Sequence, residues 1–461
     1  MSATHDKPCR PHIAVVAFPM GSHVHTLFTI AKALALAAPA ATVSFITSAS
    51  SVASPPPSPI ANLRLVPALE VSSAGTPGEQ LSKFVRAMPG NLRAGLEEAV
   101  SREDGLRVSC IVSDGMMPEL GEVAREMGAV WVVDGCAPVM AVSLLHAYEL
   151  REAFGSAVDD ARGITPKPLC FNSSNCNLLS FSEELVSFVP SLSSLRVRDI
   201  PDFIFPPTHD HLIAGTIKEY PKAAAVVFNT FQGLEPLIDA DLTSMLTKYL
   251  PIGPTKLLTP RAETEAEADR LCIPWLDRQR AASVVYVSFG TFNAPSQRGL
   301  VELARGLEAS GHPYLWSIKP EMLPKGFVVG GGGRGLVVDW APQERVLGHP
   351  AVGAFLTHCG WNSVMEGISG GVPMVCWPFR WDQMANARTV SRVHGIGVTL
   401  EEGGDVAEGG IAKALKTVME EEEGAAMRAR VKMLKARAEE AVAPGGSSSE
   451  NFKTLLDIVC G

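Results

Sequence analysis

The stretch WAPQERVLGHPAVGAFLTHCGWNSVMEGISGGVPMVCWPFRWDQ, residues 340–383, decides the fold class. Two apolar runs, AVGAFLTH and VPMVCWP, flank GWNSVMEGISGG, which begins with small and polar residues and then takes a helical pattern. Strand, helix, strand with a polar cluster at the joint is the repeating unit of an open, mainly parallel sheet. In such sheets ligands lie beyond the carboxyl ends of the strands, where a helix N-terminus presents unpaired N–H groups suited to phosphate. His358, Trp361, Asn362, Ser363 and Glu366 fall at that joint.

Working outward, the same alternation recurs along the chain. IAVVAF (13–18), TVSFIT (42–47), VSCIVSD (108–114), AVWVVD (129–134) and AVVFNT (225–230) read as strands. HTLFTIAKALALAA and ELGEVAREMG read as helices between them. The pattern weakens over 137–222, where only AVSLLHAYELREAF is helical, and such irregular connections often shape a binding pocket. PIGPTKLLTPRAETEAEAD, rich in Pro, Thr and acidic residues, reads as an exposed linker over 251–269. Alternation then restarts with SVVYVSFGT (283–291), PYLWSIK (313–319) and LVVDW (336–340). The tail PGGSSSENFKTLLDIV reads as a capped amphipathic helix.

A chain of 461 residues exceeds the roughly 250–300 residues that one hydrophobic core supports. The expected organisation is therefore two Rossmann-like α/β domains in tandem. The first is placed over 1–250 and the second over 270–445, with the linker between them and a terminal helix over 446–461.

A net charge of −9 argues against nucleic acid or an anionic membrane surface as the main partner and favours a small ligand. The polar start MSATHDKPCRPH lacks the pattern of a signal peptide, and no run of about 18 apolar residues suggests a membrane span. Nine scattered cysteines without CxxC pairs fit reduced thiols in the cytosol. Gly330, Gly332 and Gly335 satisfy G-x-G-x-x-G but lead into a strand rather than a helix, so NAD binding and a dehydrogenase are unsupported. Asp239-Ala240-Asp241, in a helical pattern rather than at a strand end, reads as surface charge and not as a metal-binding DxD. No metal site is expected.

Residues 340–383 resemble, over their full length, the signature box of plant family 1 UDP-sugar-dependent glycosyltransferases, from WAPQ through HCGWNS and Glu366 to Asp382-Gln383. The resemblance implies a GT-B architecture, two Rossmann-like domains facing across a cleft, with a UDP-sugar as donor co-substrate and no separate cofactor. It also implies a terminal helix that returns to the first domain. Each part of the donor needs a different group. A flat ring suits Trp340, with Ala341 and Gln343 beside it, where the family places uracil. One carboxylate, Glu366, can accept from both ribose hydroxyls. The helix N-terminus, with His358, Asn362 and Ser363, suits the diphosphate and offsets its charge. Thr291 matches the family's second phosphate contact, and Asp382 and Gln383 match its sugar contacts.

Transfer to a phenolic oxygen, with a pKa of about 10, benefits from a general base at neutral pH. The loop PMGSHVH after the first strand carries His23 and His25, and the residues alone leave both open; the resemblance assigns His23. Asp114 closes VSCIVSD at the same sheet edge and matches the family's supporting aspartate, which fixes the imidazole tautomer. Single displacement would invert the anomeric configuration.

AVVAFPMGSH, SLRVRDIPD, FNTFQGLEP and the C-terminal stretch are most similar to flavonoid and anthocyanidin 3-O-glycosyltransferases. A small phenolic acceptor such as a flavonol or anthocyanidin, glucose as the sugar, and a cytosolic monomer are the resulting expectations. Rhamnose or galactose transfer, another small lipophilic acceptor, and a non-catalytic UDP-sugar-binding protein are the alternatives. Two departures stand out. Gly135-Cys136 replaces a Trp-Thr pair usual in those relatives, and Arg380-Trp381 replaces a frequent Phe-Gly pair. His146 is a further candidate acceptor contact.

Overall fold

A computed structural model of the chain describes residues 10–19, 21–52, 60–70, 77–103, 105–162, 183–259, 267–290, 295–324, 327, 334–400, 406 and 409–461. Thr291, Gly330, Gly332 and residues 260–266 of the expected linker lie outside the described residues. The chain divides into two units, one of residues 1–138, 210–259 and 444–461, the other of 139–209 and 260–443.

The first unit holds a seven-stranded parallel sheet. Its strands are β1 (His12–Val16), β2 (Thr42–Ser48), β3 (Leu63–Leu69), β4 (Cys110–Asp114), β5 (Val130–Asp134), β6 (Ala225–Phe228) and β7 (Tyr249–Pro251), in the order β3-β2-β1-β4-β5-β6-β7. β1, β2, β4 and β6 are buried at every position, as continuous apolar runs must be when helices cover both faces of a sheet. Pro67 in β3 is tolerated because β3 is an edge strand and has one neighbour to pair with. That proline hides the strand from pattern reading, as shortness hides β7.

The second unit holds a six-stranded parallel sheet in the order β10-β9-β8-β11-β12-β13. Its strands are β8 (Val284–Ser288), β9 (Tyr314–Ser317), β10 (Gly335–Val338), β11 (Val352–Thr357), β12 (Met374–Cys376) and β13 (Gly397–Thr399). Both orders reverse direction once, between β1 and β4 and between β8 and β11. The loops leaving the sheet there diverge and open a crevice at the strands' carboxyl ends.

The terminal helix Ser447–Cys460 belongs to the first unit. Leu455 and Val459 join the core formed by Leu34, Val43, Phe45 and Leu250, each burial contributing roughly 1.5–3 kcal/mol. Contrary to the expected serine cap, no side chain caps this helix, whose N-cap is Gly446. Ser448 instead donates from Oγ to the Gly253 carbonyl at 2.7 Å, and Asn451 donates to the Pro251 carbonyl at 2.9 Å. Residues 139–209 group with the second unit rather than with the expected 1–250 domain. Arg388 explains part of that grouping, since it donates to the Ser194 carbonyl and lies 3.4 Å from Asp199. Asp239 is not simple surface charge: it accepts from the Gly233 N–H at 2.6 Å and the Tyr249 hydroxyl at 2.7 Å, a structural role in a helix. Gly335 opens β10, not a helix, as a strand reading of LVVDW requires. Among the described residues, no helix is long and apolar enough to cross a membrane.

Candidate active site

In the first unit the sheet reversal brings together the ends of β1 and β4. Gly21, at φ +60°, turns the chain after β1, and His23 is the first residue of the helix His23–Ala37. Its Nδ1 lies 2.9 Å from Asp114 Oδ2. Asp114 is fully buried at the last position of β4, and its Oδ1 accepts from the Met116 N–H at 2.9 Å, which fixes the carboxylate plane. With Nδ1 donating to this carboxylate, the imidazole lone pair rests on Nε2. The His23 side chain is 31% exposed. Phe18 packs edge-on against the ring, with centroids 5.6 Å apart, and Phe84 packs edge-on against Phe18. His25 is exposed, and the structure singles out His23 as the histidine paired with Asp114.

Two further groups adjoin this pair: Asp134, which the sequence reading does not single out, and Cys136, which it names only as a departure from relatives. Asp134 ends β5 in register with Asp114, and burial together with the charge of Asp114 pushes its carboxyl up to about 8. A carboxyl raised that far favours its protonated form at neutral pH. The signal was visible, since AVWVVD ends in aspartate as VSCIVSD does. Cys136 follows at φ +61°, with Sγ 3.8 Å from Asp114 Oδ1 and 3.9 Å from His23 Nδ1. Gly135 beside it has no room for a side chain: a Cβ there would lie 2.3 Å from Cε1 of the buried Phe228. His146 lies in the second unit, paired with Glu149.

In the second unit the reversal joins the ends of β8 and β11. Cys359, at φ +63°, makes the sharp turn from β11 into the helix Trp361–Gly370, whose N-cap is Gly360. His358 sits in this turn between two glycines. A Cβ on Gly360 would lie 2.6 Å from its Nε2, and one on Gly290 would lie 3.1 Å from its Cε1. Burial pushes His358 down to about 4, and its Nδ1 has no hydrogen-bond partner among the described residues. The ring is neutral at pH 7, so it has an N–H and no imidazolium charge to offer a ligand.

Several of the other residues expected to hold the donor are linked by hydrogen bonds. Trp340, 53% exposed, and buried Ala341 lead from β10 to the helix Gln343–Leu347. Gln343 accepts from the Tyr286 hydroxyl at 3.0 Å and donates to Ser363 Oγ at 3.0 Å and to Glu366 Oε2 at 2.5 Å. One amide thereby orients both the serine and the carboxylate one turn into the helix. Trp361 is buried and Asn362 partly buried at the helix start. Asp382 and Gln383 are buried at the start of the helix Gln383–Arg388. Asp382 accepts from Asn386, which also donates to the Cys359 carbonyl and ties this turn to the His358 turn. Gln383 Oε1 accepts from the N–H groups of Phe379 and Arg380, leaving its NH2 for other partners. Trp381 has φ +58°, a left-handed conformation that suits the glycine expected in relatives and strains a tryptophan.

Two parallel α/β units of this order, each with polar residues gathered at its reversal point, define a fold of the GT-B glycosyltransferase type. Comparison with known proteins gives the family. Residues 77–432 match the family model "UDP-glucoronosyl and UDP-glucosyl transferase". A myricetin 3-O-rhamnosyltransferase of Crocosmia x crocosmiiflora is 44% identical over 99% of both chains. An anthocyanidin 3-O-glucosyltransferase of Zea mays is 41% identical over 98% of this chain and 97% of its own. The crystal structure of a UDP-glucose: anthocyanidin 3-O-glucosyltransferase in complex with UDP superposes with a TM-score of 0.82 at 32% identity, covering 98% of this chain and 99% of that one. The chain belongs to the UDP-glucuronosyl and UDP-glucosyl transferase family, and it is a UDP-sugar-dependent glycosyltransferase.

Proposed function

We propose that the protein transfers glucose from UDP-glucose to the 3-hydroxyl of a flavonol or anthocyanidin, with inversion at the anomeric carbon. His23 Nε2 takes the phenolic proton as the oxygen attacks C1 and UDP departs. Asp114 holds the ring in the tautomer that makes Nε2 the base and stabilises the imidazolium that forms. Trp340, Ala341 and Gln343 receive uracil, Glu366 the ribose diol, and His358, Asn362, Ser363 and Thr291 the diphosphate. Asp382 and Gln383 bind the sugar hydroxyls. The helix N-terminus at Trp361 takes up phosphate charge, so the reaction proceeds without a metal ion. A monomer acting in the cytosol completes the reading.

The observation that carries this reading is the 2.9 Å contact of the partly exposed His23, through Nδ1, with a buried carboxylate. The test is a matrix of UDP-glucose, UDP-galactose and UDP-rhamnose against flavonols, anthocyanidins and simple phenols, read by product mass and linkage. It is run on the wild type and on His23→Ala. Loss of transfer with retained UDP binding in the variant is expected, and undiminished transfer would refute the base assignment. Rhamnose is the second donor to weigh, because the 44% identical relative is a rhamnosyltransferase and Trp381 stands beside Asp382.

A further inference from the structure

We propose that His23, Asp114 and Cys136 form an inhibitory binding site for a thiophilic divalent cation of the zinc class. Their ligating atoms all lie within 4.8 Å of one another. The separations are 2.9 Å from Nδ1 to Oδ2, 3.9 Å from Nδ1 to Sγ and 3.8 Å from Sγ to Oδ1. Ligands at ordinary zinc bond lengths in a tetrahedron stand about 3.3 to 3.6 Å apart. The short contacts use different oxygens of Asp114, so the carboxylate must turn to present one of them while the three ligand atoms, already within 4.8 Å of one another, draw in around an ion.

The donor set has the mixed chemistry that selects zinc-like cations over magnesium or calcium: one thiolate, one imidazole, one carboxylate. Three protein ligands leave a fourth position for water. Asp114 is already held by the Met116 N–H, and Cys136 is held by its left-handed turn directly after β5. Cys136 and His23 are both partly exposed, which gives an ion a way in.

The inhibitory sense follows from which nitrogen is used. The cation occupies Nδ1 and displaces the hydrogen bond to Asp114. The ring proton then resides on Nε2, so Nε2 cannot accept the phenolic proton. Binding releases the thiol proton of Cys136 to solvent, and thiolate plus carboxylate balance the dication. This consequence rests on His23 being the base; the binding itself does not.

Chelator-treated, full-length protein titrated with Co2+ tests the binding. One equivalent is expected to give a thiolate-to-cobalt charge-transfer band in the near ultraviolet, displaced by Zn2+. Cys136→Ser should abolish the band, and Cys460→Ser, at another partly exposed thiol, should retain it. Zn2+ should inhibit glycosyl transfer reversibly with EDTA. Half-inhibition should move up more than roughly tenfold in Cys136→Ser, measured against that variant's own metal-free rate. Thermal midpoints of the metal-free variants confirm folding. An unchanged band in Cys136→Ser, or its loss in Cys460→Ser instead, overturns the site. A band without inhibition leaves the site standing and overturns the inhibitory role, with His23 as the base then in question.

Discussion

Asp114 and Asp134 end adjacent parallel strands in register, and burial beside Asp114 holds the Asp134 carboxyl up at about 8. Folding raises the Asp134 carboxyl from 3.8 to about 8, so its contribution to stability is complete below pH 3.8 and is lost as pH rises to about 8. His358 and His394 are lowered by burial from 6.5 to about 4, so theirs is complete above pH 6.5 and is lost as pH falls to about 4. Between these limits the histidines outweigh the carboxyl below pH 6.5, and the carboxyl alone acts above it. For these three groups stability therefore peaks near pH 6.5, falling on either side by about 1.4 kcal/mol per pH unit. Asp134→Asn keeps shape and neutrality, and should flatten the alkaline limb in thermal midpoints measured from pH 5 to 9. An unchanged alkaline limb would show that Asp134 is ionised in the folded protein.

Asp114→Asn separates orientation from charge. The asparagine oxygen keeps the Met116 N–H, so its NH2 faces His23 Nδ1 and donates to it. The ring proton must then move to Nε2, which removes the base. The turnover number should fall roughly 10²- to 10⁴-fold, while the dissociation constant for UDP, whose proposed contacts lie in the other unit, stays unchanged. A loss of UDP affinity matching the loss of turnover would contradict this.

The strands that carry the site were legible because they are largely buried and read as unbroken apolar runs, some closed by a polar residue, as β4 is by Asp114 and β11 by Thr357. β3, with Pro67, and β13, with three residues, carry no such signal. His23 and Asp114 could be placed at strand ends, but the residues alone left His23 and His25 open, and only the resemblance and then the hydrogen bond to Asp114 separate them. The protonation of Asp134 depends on burial, and the closeness of Cys136 to His23 depends on a positive φ. The neutrality of His358 likewise depends on burial among its neighbours. None of these has a periodicity to read.

Gly135 and Phe228 occupy one space between them. A Cβ at Gly135 would lie 2.3 Å from both Cε1 and Cζ of Phe228, so the space beside this glycine is filled from β6. Gly135→Ala should destabilise the fold by about 1–3 kcal/mol through overpacking. The double variant Gly135→Ala/Phe228→Leu should cost less than the sum of its parts. Additive losses of thermal stability would show that the two positions do not compete.

Glu366 tests the division of labour in the donor grip. Its carboxylate accepts from Gln343 and is proposed to hold the ribose diol. Hydrogen bonds to charged groups contribute about 1.5–3 kcal/mol, so Glu366→Ala should raise the dissociation constant for UDP roughly 10- to 100-fold. Binding of inorganic pyrophosphate, which has no ribose, should be unaffected. Equal losses for both ligands would mean that Glu366 organises the helix start rather than the ribose site.

Trp381 carries the last test, because its backbone and its side chain pull in opposite directions. A left-handed conformation costs a non-glycine residue roughly 1–2 kcal/mol, and φ is +58° here. Against that, the Arg380 guanidinium lies 6.0 Å from the ring centroid, worth about 0.5–1 kcal/mol at an exposed site. Glycine at this position would also add roughly 0.4–1 kcal/mol of unfolded-chain entropy. The terms nearly cancel, so Trp381→Gly should leave the thermal midpoint little changed. Its effect should fall on the donor. An indole beside Asp382 favours the methyl group of a 6-deoxy sugar over a hydroxymethyl group, so the variant should lower the kcat/KM ratio of UDP-rhamnose to UDP-glucose. A fall in thermal midpoint with no change in that ratio would make Trp381 a packing residue and remove it from the sugar pocket.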